Sequence, residues 1–257
     1  MKKLIIALLV ILTLTTATTF ASGNKEAANG KETITMATNA EWPPLEFVND
    51  DGDVVGYEVE LVQHFADVTD YNWKVVNVAW DGIFAGMANG AYDGLATGCS
   101  VTEERKQSMD FCNPFLFMIQ SIIIPTEGSN TPRDINDLVG LKVGVLIGSV
   151  GDILLQDSGL DITVRSYDNI AYSIEDMLNG NLDAVVVDSL IAGEYVVSNK
   201  AYQGKLFESG YAQEEGEPIA MCFSKGETEK VEIVNQALKD LEANGTMAKL
   251  KAKYGIL

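Results

Sequence analysis

Arg105 is the residue of this sequence whose chemistry most needs explaining. It stands in the stretch "GCSVTEERKQSMDF", from Gly98 to Phe111, which passes from small residues through charged ones to an apolar, strand-like end. A guanidinium offers a fixed fork of donors that matches a carboxylate, and it keeps its charge at any working pH. A lone arginine in a loop is more often a solvated surface charge. This stretch alone leaves both interpretations open.

Two other stretches carry groups that could bind a charged ligand. In "GLKVGVLIGSVG" a strand runs into Gly148-Ser149 and then a helix, a geometry that aims backbone N–H groups at an anion. The stretch matches neither the dinucleotide pattern G-x-G-x-x-G nor the P-loop. Asp188 ends the apolar strand "AVVVD" and precedes a helix, so it could bind a cation or simply cap that helix.

Motifs for catalysis and metal binding are scarce. No G-x-S-x-G elbow surrounds Ser149, and no C-x-x-C or H-E-x-x-H spacing occurs. The only histidine, His64, lies inside a helical pattern. Three cysteines cannot all pair within the chain: Cys112 and Cys222 could form a disulfide, or Cys99, Cys112 and Cys222 could all be buried thiols. We expect no catalytic residue, no metal ion and no cofactor.

The first 21 residues have the pattern of a secretory signal peptide. Two lysines precede an apolar run from Leu4 to Leu12, and a small-residue exit ends at Ala21. We therefore expect cleavage near Ala21, a periplasmic location and a flexible leader over residues 22–32. No cysteine near this exit could take a lipid, and no later run approaches the roughly 18 apolar residues of a membrane span.

Charge and composition exclude several classes of partner. The formal charge of −19 becomes −21 when the first 21 residues, with two lysines and no acid, are removed. Such a field repels nucleic acid and anionic membrane surfaces. Hydrophobic residues make up 47% of the chain, enough for a buried core despite the acidity.

Short apolar runs alternate with helical patterns along the chain. The strand patterns cover residues 33–38, 73–79, 92–98, 120–125, 142–147, 162–167 and 183–188. The helical patterns cover residues 57–69, 82–90, 150–159, 171–180, 190–199 and 231–245. Continuous Val/Ile strands between helices predict an α/β fold with mostly parallel sheets. A polar, turn-rich loop over residues 125–137 is a candidate domain break.

Five segments agree in order and spacing with one protein family. They are "WPPLEFVNDDGDVVGYEVELVQHFA", "WDGIFAGMANGAYDGLATGCSVTEERKQSMDFCNPF", "LKVGVLIGSVGD", "AVVVDSLIA" and "NQALKDLEANGTMAKLKAKYG". The second contains small-x-[ST]-x-T-x-x-R, here Gly98 to Arg105. Together they resemble the extracellular solute-binding proteins, family 3, which serve polar amino-acid uptake by ABC transporters. The resemblance covers nearly the whole chain from about residue 31 onward.

The resemblance implies a two-lobed α/β fold, the type II periplasmic-binding-protein fold, with a ligand in the cleft between the lobes. Lobe one would take residues 33–117 and 217–257, and lobe two residues 118–216. The implied function is that of an exported, monomeric binding component that takes a free L-amino acid and presents its closed form to a membrane permease. The alternative on the same fold is a cyclohexadienyl (prephenate or arogenate) dehydratase. The chain has both the arginine and the aspartate of the binding proteins, at Arg105 and Asp188, which favours binding over catalysis. We therefore expect that the protein is not an enzyme.

The resemblance also assigns residues to the ligand's two charges. Arg105 would bind the α-carboxylate, with Gly98 and Ser100 adding a carbonyl and further hydrogen bonds. The helix start at Ser149-Val150 would bind the same carboxylate, and Asp188 the α-ammonium. The family has a hydroxyl residue where this chain has Val150, so this part of the anion site should be weaker.

Family positions around the ligand's side chain fall on Asn39, Trp42, Leu45, Trp80 and Thr97. The two tryptophans could sandwich an aliphatic stem, a ring or a cation, or one of them could be core. Members that take basic ligands commonly carry aspartate at the Asn39 position, which argues against a strongly basic ligand unless nearby Glu41 compensates. None of these positions carries a basic residue, which disfavours glutamate and aspartate as the ligand.

Overall fold

The computed structural model describes residues 30–128 and 130–256. The predicted signal peptide and residues 22–29 of the predicted leader therefore lie outside the described residues. Among the described residues, no helix is long and apolar enough to cross a membrane.

Strands and helices alternate along the described chain. The strands are β1 Thr33–Thr38, β2 Glu41–Trp42, β3 Glu46–Val48, β4 Val54–Val55, β5 Asn72–Asn77, β6 Gly94–Leu95, β7 Met109–Phe111, β8 Leu116–Met118, β9 Gln120–Pro125, β10 Lys142–Leu146, β11 Thr163–Tyr167, β12 Ala184–Asp188, β13 Leu206–Tyr211, β14 Glu217–Ile219 and β15 Cys222–Ser224. The α-helices are α1 Tyr57–His64, α2 Trp80–Ala88, α3 Val150–Asp157, α4 Ile170–Leu178, α5 Ser189–Gly193, α6 Thr228–Ala243 and α7 Thr246–Lys253.

The strands form two five-stranded sheets, which we call the first and the second sheet. The first has the order β5-β1-β6-β15-β7, and the second has the order β11-β10-β12-β9-β13. In the first sheet β1 pairs in parallel with β5 and β6, whereas β15 is antiparallel to β6 and β7. In the second sheet β10 is parallel to β11 and β12, whereas β9 is antiparallel to β12 and β13.

The α/β class is confirmed, but the prediction of mostly parallel sheets is wrong, since half of these pairings are antiparallel. Helical crossovers connect the parallel strands, which is the pattern the sequence displays. The antiparallel partners β9 and β15 follow the two segments that pass between the sheets. Their direction depends on where the chain re-enters a sheet, and no local residue pattern encodes that.

Two short strands, β8 and β14, connect the sheets. They pair antiparallel, with Glu217 opposite Met118 and Ile219 opposite Leu116. The loop over residues 125–137 instead joins β9 to β10 within the second sheet, so the predicted break there is wrong. Its turn-rich composition reflects a surface connection rather than a boundary between sheets.

Most predicted elements occur with small differences at their ends. Helix α1 ends at His64 and continues as a 3-10 turn, Phe65–Asp67. The pattern over residues 190–199 is α5 followed by a π-helical turn, Glu194–Ser198. The pattern over residues 92–98 yields only the two-residue strand β6, because the chain then turns into the loop that carries Arg105. All three cysteines are free and buried, so the disulfide alternative is not realised.

Candidate functional site

A narrow cavity between the two sheets brings the predicted binding residues together. Its lining consists of Asn39, Trp42, Glu46, Trp80, Thr97, Gly98, Ser100, Arg105, Leu146, Ser149, Val150 and Asp188. Ten of the eleven binding residues predicted from the sequence are in this set. The eleventh, Leu45, is fully buried in the core. A wider groove lies beside α3, but Val150 is the only one of these ten residues that lines it.

The Arg105 side chain is 9% exposed and reaches both sides of the cavity. It begins a 3-10 turn, Arg105–Gln107, so the loop rather than a long helix positions it. Nη1 donates to the Ser100 carbonyl at 3.0 Å and lies 3.6 Å from the Cys99 sulfur. Nη2 donates to the Gly148 carbonyl at 3.2 Å. None of these hydrogen-bond partners is a carboxylate, and the burial of Arg105 shows that it is not a solvated surface charge.

Trp80, the first residue of α2, connects the two sides of the cavity. Its ring meets Phe84 edge-on at 5.0 Å between centroids, and the Arg105 Cζ lies 5.7 Å from the Trp80 ring. The indole Nε1 donates to the Ile147 carbonyl, on the second-sheet side, at 2.9 Å. Trp80 therefore supports the guanidinium and bridges the cleft, which a purely core tryptophan would not do.

Asp188 ends β12 at the N-cap position of α5, yet its side chain makes no capping hydrogen bond. Its Oδ1 instead accepts from Gln120 Nε2 at 2.6 Å, and the same amide donates to Glu217 Oε1 at 2.6 Å. Burial raises the pKa of Asp188 to about 6, opposed by the Gln120 hydrogen bond and the Arg105 charge. The capping interpretation of Asp188 is therefore wrong, because the carboxyl group faces the cavity.

Glu217 lies in β14 and shares the Gln120 amide with Asp188. Burial and the nearby Asp188 charge raise its pKa to about 7. Neither Gln120 nor Glu217 was predicted from the sequence. The two residues lie 97 positions apart, and no local pattern indicates that the crossing segment brings them together.

The start of α3 offers fewer free donors than the sequence suggested. The Ser149 hydroxyl caps the helix by accepting from Asp152 N at 3.2 Å, and Ser149 N–H donates to the Leu146 carbonyl. Gly148 has φ of +65°, and its N–H donates to Asp152 Oδ2 at 2.8 Å. Because Asp152 places its own carboxylate near this helix start, an incoming anion depends mainly on Arg105 here.

The chain around Asn39 and Gly98 is fixed by hydrogen bonds to the backbone. Asn39 N–H donates to Thr97 Oγ1 at 2.9 Å, and the Asn39 amide donates to the Val78 carbonyl at 3.3 Å. Gly98 N–H donates to Glu58 Oε2 at 2.7 Å. Burial raises the pKa of Glu58 to about 8, although the Gly98 hydrogen bond opposes the shift. Glu58, which does not line the cavity, thus fixes Gly98 at the start of the loop that carries Arg105.

Glu46 is a residue in the cavity lining that the sequence analysis missed. It lies in β3, is fully buried, and neither carboxyl oxygen has a hydrogen-bond partner. Burial, followed by the charge of Glu58, raises its pKa well above the usual range, and Asp188 adds to the shift. The Thr97 hydroxyl is close enough to lower that pKa, although it makes no hydrogen bond of normal geometry.

Glu41, the acid that could have compensated for the neutral Asn39, does not line the cavity. Its Oε2 accepts from Asn169 Nδ2 at 2.7 Å and so links the two sides of the cleft at the surface. The only sequence signal for Glu46 is an acid between apolar Leu45 and Phe47, two residues after the double proline.

Within the described residues, no group of acids, histidines and cysteines could hold a metal ion.

Comparison with known proteins identifies relatives along almost the full chain. The family model for bacterial extracellular solute-binding proteins, family 3, matches residues 34–256. A "Probable histidine-binding protein" of Neisseria gonorrhoeae is 30% identical over 99% of this chain and 96% of its own length. The "Arginine-binding extracellular protein ArtP" of Bacillus subtilis is 28% identical over 99% of this chain and 98% of its own length.

A solved structure gives the same picture of the fold. The arginine-, lysine-, histidine-binding protein ArtJ of Geobacillus stearothermophilus matches with a TM-score of 0.78 and 26% identity. The match covers 87% of this chain and 95% of the other. These three relatives are named as binding proteins, and none of them is named as an enzyme.

Proposed function

The chain belongs to the bacterial extracellular solute-binding proteins, family 3, and we propose that it binds one free L-amino acid for an ABC transporter. The named relatives bind amino acids, which favours this function over the dehydratase alternative. The protein is accordingly a binding protein and not an enzyme.

One observation carries the proposal: two buried side chains of opposite charge, Arg105 and Asp188, line the same cavity and have only neutral hydrogen-bond partners. A free amino acid has one group for each of them. Its α-carboxylate would lie against the guanidinium fork and its α-ammonium against Asp188, with each charge desolvated together with its partner.

The remaining residues would orient the ligand. Gly98 and Ser100 belong to the loop that carries Arg105, and their backbone groups would border the carboxylate. The start of α3 at Ser149-Val150 would contribute less, because the Ser149 hydroxyl and N–H already have partners. Trp42 and Trp80 would flank the ligand's side chain, with Asn39 and Thr97 beside them.

Binding would be coupled to closure of two lobes. We propose residues 33–117 and 217–257 as one lobe and residues 118–216 as the other. Among the described residues, hydrogen bonds already cross the cleft from Arg105 to Gly148, from Trp80 to Ile147 and from Asn169 to Glu41. A ligand held from both sides would stabilise this closed arrangement, which a membrane permease could then distinguish from an open one.

The family is extracellular, and we propose that export uses a signal peptide cut near Ala21 to release a monomer. N-terminal sequencing of the exported protein tests the cleavage. A mature protein that begins at Met1 would contradict it, and size-exclusion chromatography with light scattering tests the monomer.

Native mass spectrometry followed by calorimetry with the twenty amino acids tests the binding function. We expect one bound amino acid per chain. Failure of every free amino acid to bind would overturn the proposal. Turnover of prephenate or arogenate that a substitution in the cavity abolishes would move the protein to the dehydratase class.

A further inference from the structure

The Glu46 carboxyl is the one acid in the cavity lining, within the described chain, that has no hydrogen-bond partner. The other buried acids nearby each accept at least one hydrogen bond. Glu58 accepts from Gly98 N–H, and Asp188 and Glu217 accept from Gln120. A buried carboxyl without partners is costly, so such a group in a ligand cavity indicates that a ligand supplies the partner.

The charges of the cavity indicate what kind of partner is missing. The α-carboxylate and α-ammonium of a free amino acid match Arg105 and Asp188 one to one. Glu46 is then the remaining ionisable group of the lining, and Asn39 beside it contributes only a neutral amide. Arg105 cannot serve Glu46, because its guanidinium donates to the Ser100 and Gly148 carbonyls and neither Glu46 oxygen has a partner.

We propose that Glu46 determines specificity by pairing with a positively charged group on the ligand's side chain, so that the ligand is a basic L-amino acid. This inference rests on the proposed amino-acid function. Trp42 and Trp80 line the same cavity and would pack against the ligand's aliphatic stem or stack on its cationic end. An acidic ligand side chain would add a carboxylate to a lining that already holds the Glu46 and Asp188 carboxyl groups and has no cation besides Arg105, which disfavours such a ligand.

Calorimetry with two ligands of the same shape tests the proposal on the mature wild-type protein. L-arginine and L-citrulline share the same chain length, but the end group of citrulline is neutral. Loss of one partner from a buried charge pair weakens binding by roughly 30-fold to a few thousand-fold, so we expect at least a 30-fold preference for arginine. Equal affinity for the two ligands would overturn the proposal while leaving the amino-acid function intact.

Glu46→Gln then tests whether Glu46 is the residue responsible. We expect this substitution to weaken arginine binding by about 30-fold or more and to leave citrulline binding within a few-fold of wild type. Asp51→Asn is the matched control: it removes one acid from the exposed turn between β3 and β4, and it should change neither affinity.

The outcomes separate the two proposals. If neither these two ligands nor any other free amino acid binds the wild type, the proposed function itself fails. If arginine is preferred but Glu46→Gln keeps the full preference, Glu46 is not the specificity residue. Should Glu46→Gln fail to fold, Glu46→Asp keeps the charge and must retain the preference for arginine. Loss of the preference in folded Glu46→Asp would contradict a simple charge pairing.

Discussion

The two sides of the cavity differ in how completely their polar groups are satisfied. On the second-sheet side, Asp188 accepts from Gln120 and Ser149 caps α3, so its hydrogen bonds are made without a ligand. On the first-sheet side, Arg105 has no acidic hydrogen-bond partner and Glu46 has no partner at all. The acceptors of the second side thus already have partners, whereas the first side holds an unpartnered carboxyl group, Glu46, and a guanidinium that donates only to carbonyl oxygens and a sulfur. Substitutions on the first side should therefore have the larger effects on binding.

Arg105→Ala should have the largest effect on binding. It removes the only cation of the cavity lining, and truncation of one partner of a buried charge pair costs about 2 to 5 kcal/mol. Affinity for the amino acid should fall by roughly 30-fold to a few thousand-fold in calorimetry. Arg105→Lys should recover only part of this loss, because an ammonium lacks the two-pronged donor geometry.

Arg133→Ala is the matched control, because Arg133 is exposed and does not line the cavity. It should leave affinity unchanged. Full affinity in Arg105→Ala would show that the carboxylate binds elsewhere, and the contrast between the two sides would then lose its basis.

The stability of the empty protein should fall as the pH rises from about 5 to 8. The folded pKa of Asp188, Glu217 and Glu58 is raised to about 6, 7 and 8, so the folded state binds more protons than the unfolded chain in this range. Stability from these groups is therefore present at low pH and lost as the pH rises through these values. We expect a decrease of several kcal/mol, and at most about 8 kcal/mol, in the free energy of unfolding, measured with urea.

Glu58→Gln should reduce this pH dependence. The amide oxygen can still accept from Gly98 N–H, while the group that titrates is removed. The variant should be more stable than wild type at pH 8 and should differ little at pH 5. A wild-type stability that increases between pH 5 and 8 would contradict the burial of these acids in the folded state.

Trp80→Phe should have the smallest effect, and it should act on closure rather than preference. The change keeps an aromatic ring against Phe84 but removes the hydrogen bond from Nε1 to the Ile147 carbonyl. One such bond contributes about 1 kcal/mol, so every ligand should bind about 5-fold more weakly. A change in the ranking of ligands, measured by competition, would instead make Trp80 a specificity residue.

The sequence predicted much of the site because its motifs are local. The loop from Gly98 to Arg105 and the strand ends at Ser149 and Asp188 are each contiguous, and their residues do line one cavity. The sequence did not predict Glu46, Gln120 and Glu217, because their positions in the site depend on burial and on contacts between distant segments. The role considered for Glu41 is the one that we propose for Glu46, five positions later, because the hairpin of β2 and β3 buries Glu46 and leaves Glu41 exposed.

For the fold as well, local features could be predicted from the sequence and features that depend on distant segments could not. Helices and buried strands such as β1 and β9 could be predicted from residue patterns, and their observed bounds match closely. The direction of β9 and β15 could not, because it depends on the crossing strands β8 and β14. Helix α7 was also missed, since only Leu250 of its eight residues is buried and its sequence lacks a clear apolar face.

Calorimetry with a bound amino acid and its two blocked derivatives tests the central claim most directly. The amide removes the carboxylate that Arg105 would bind, and the N-acetyl derivative removes the ammonium that Asp188 would bind. If the two charges are held from opposite sides of the cavity, each derivative should bind at least about 30-fold more weakly than the free amino acid. Blocked derivatives that bind as tightly as the parent would contradict the account.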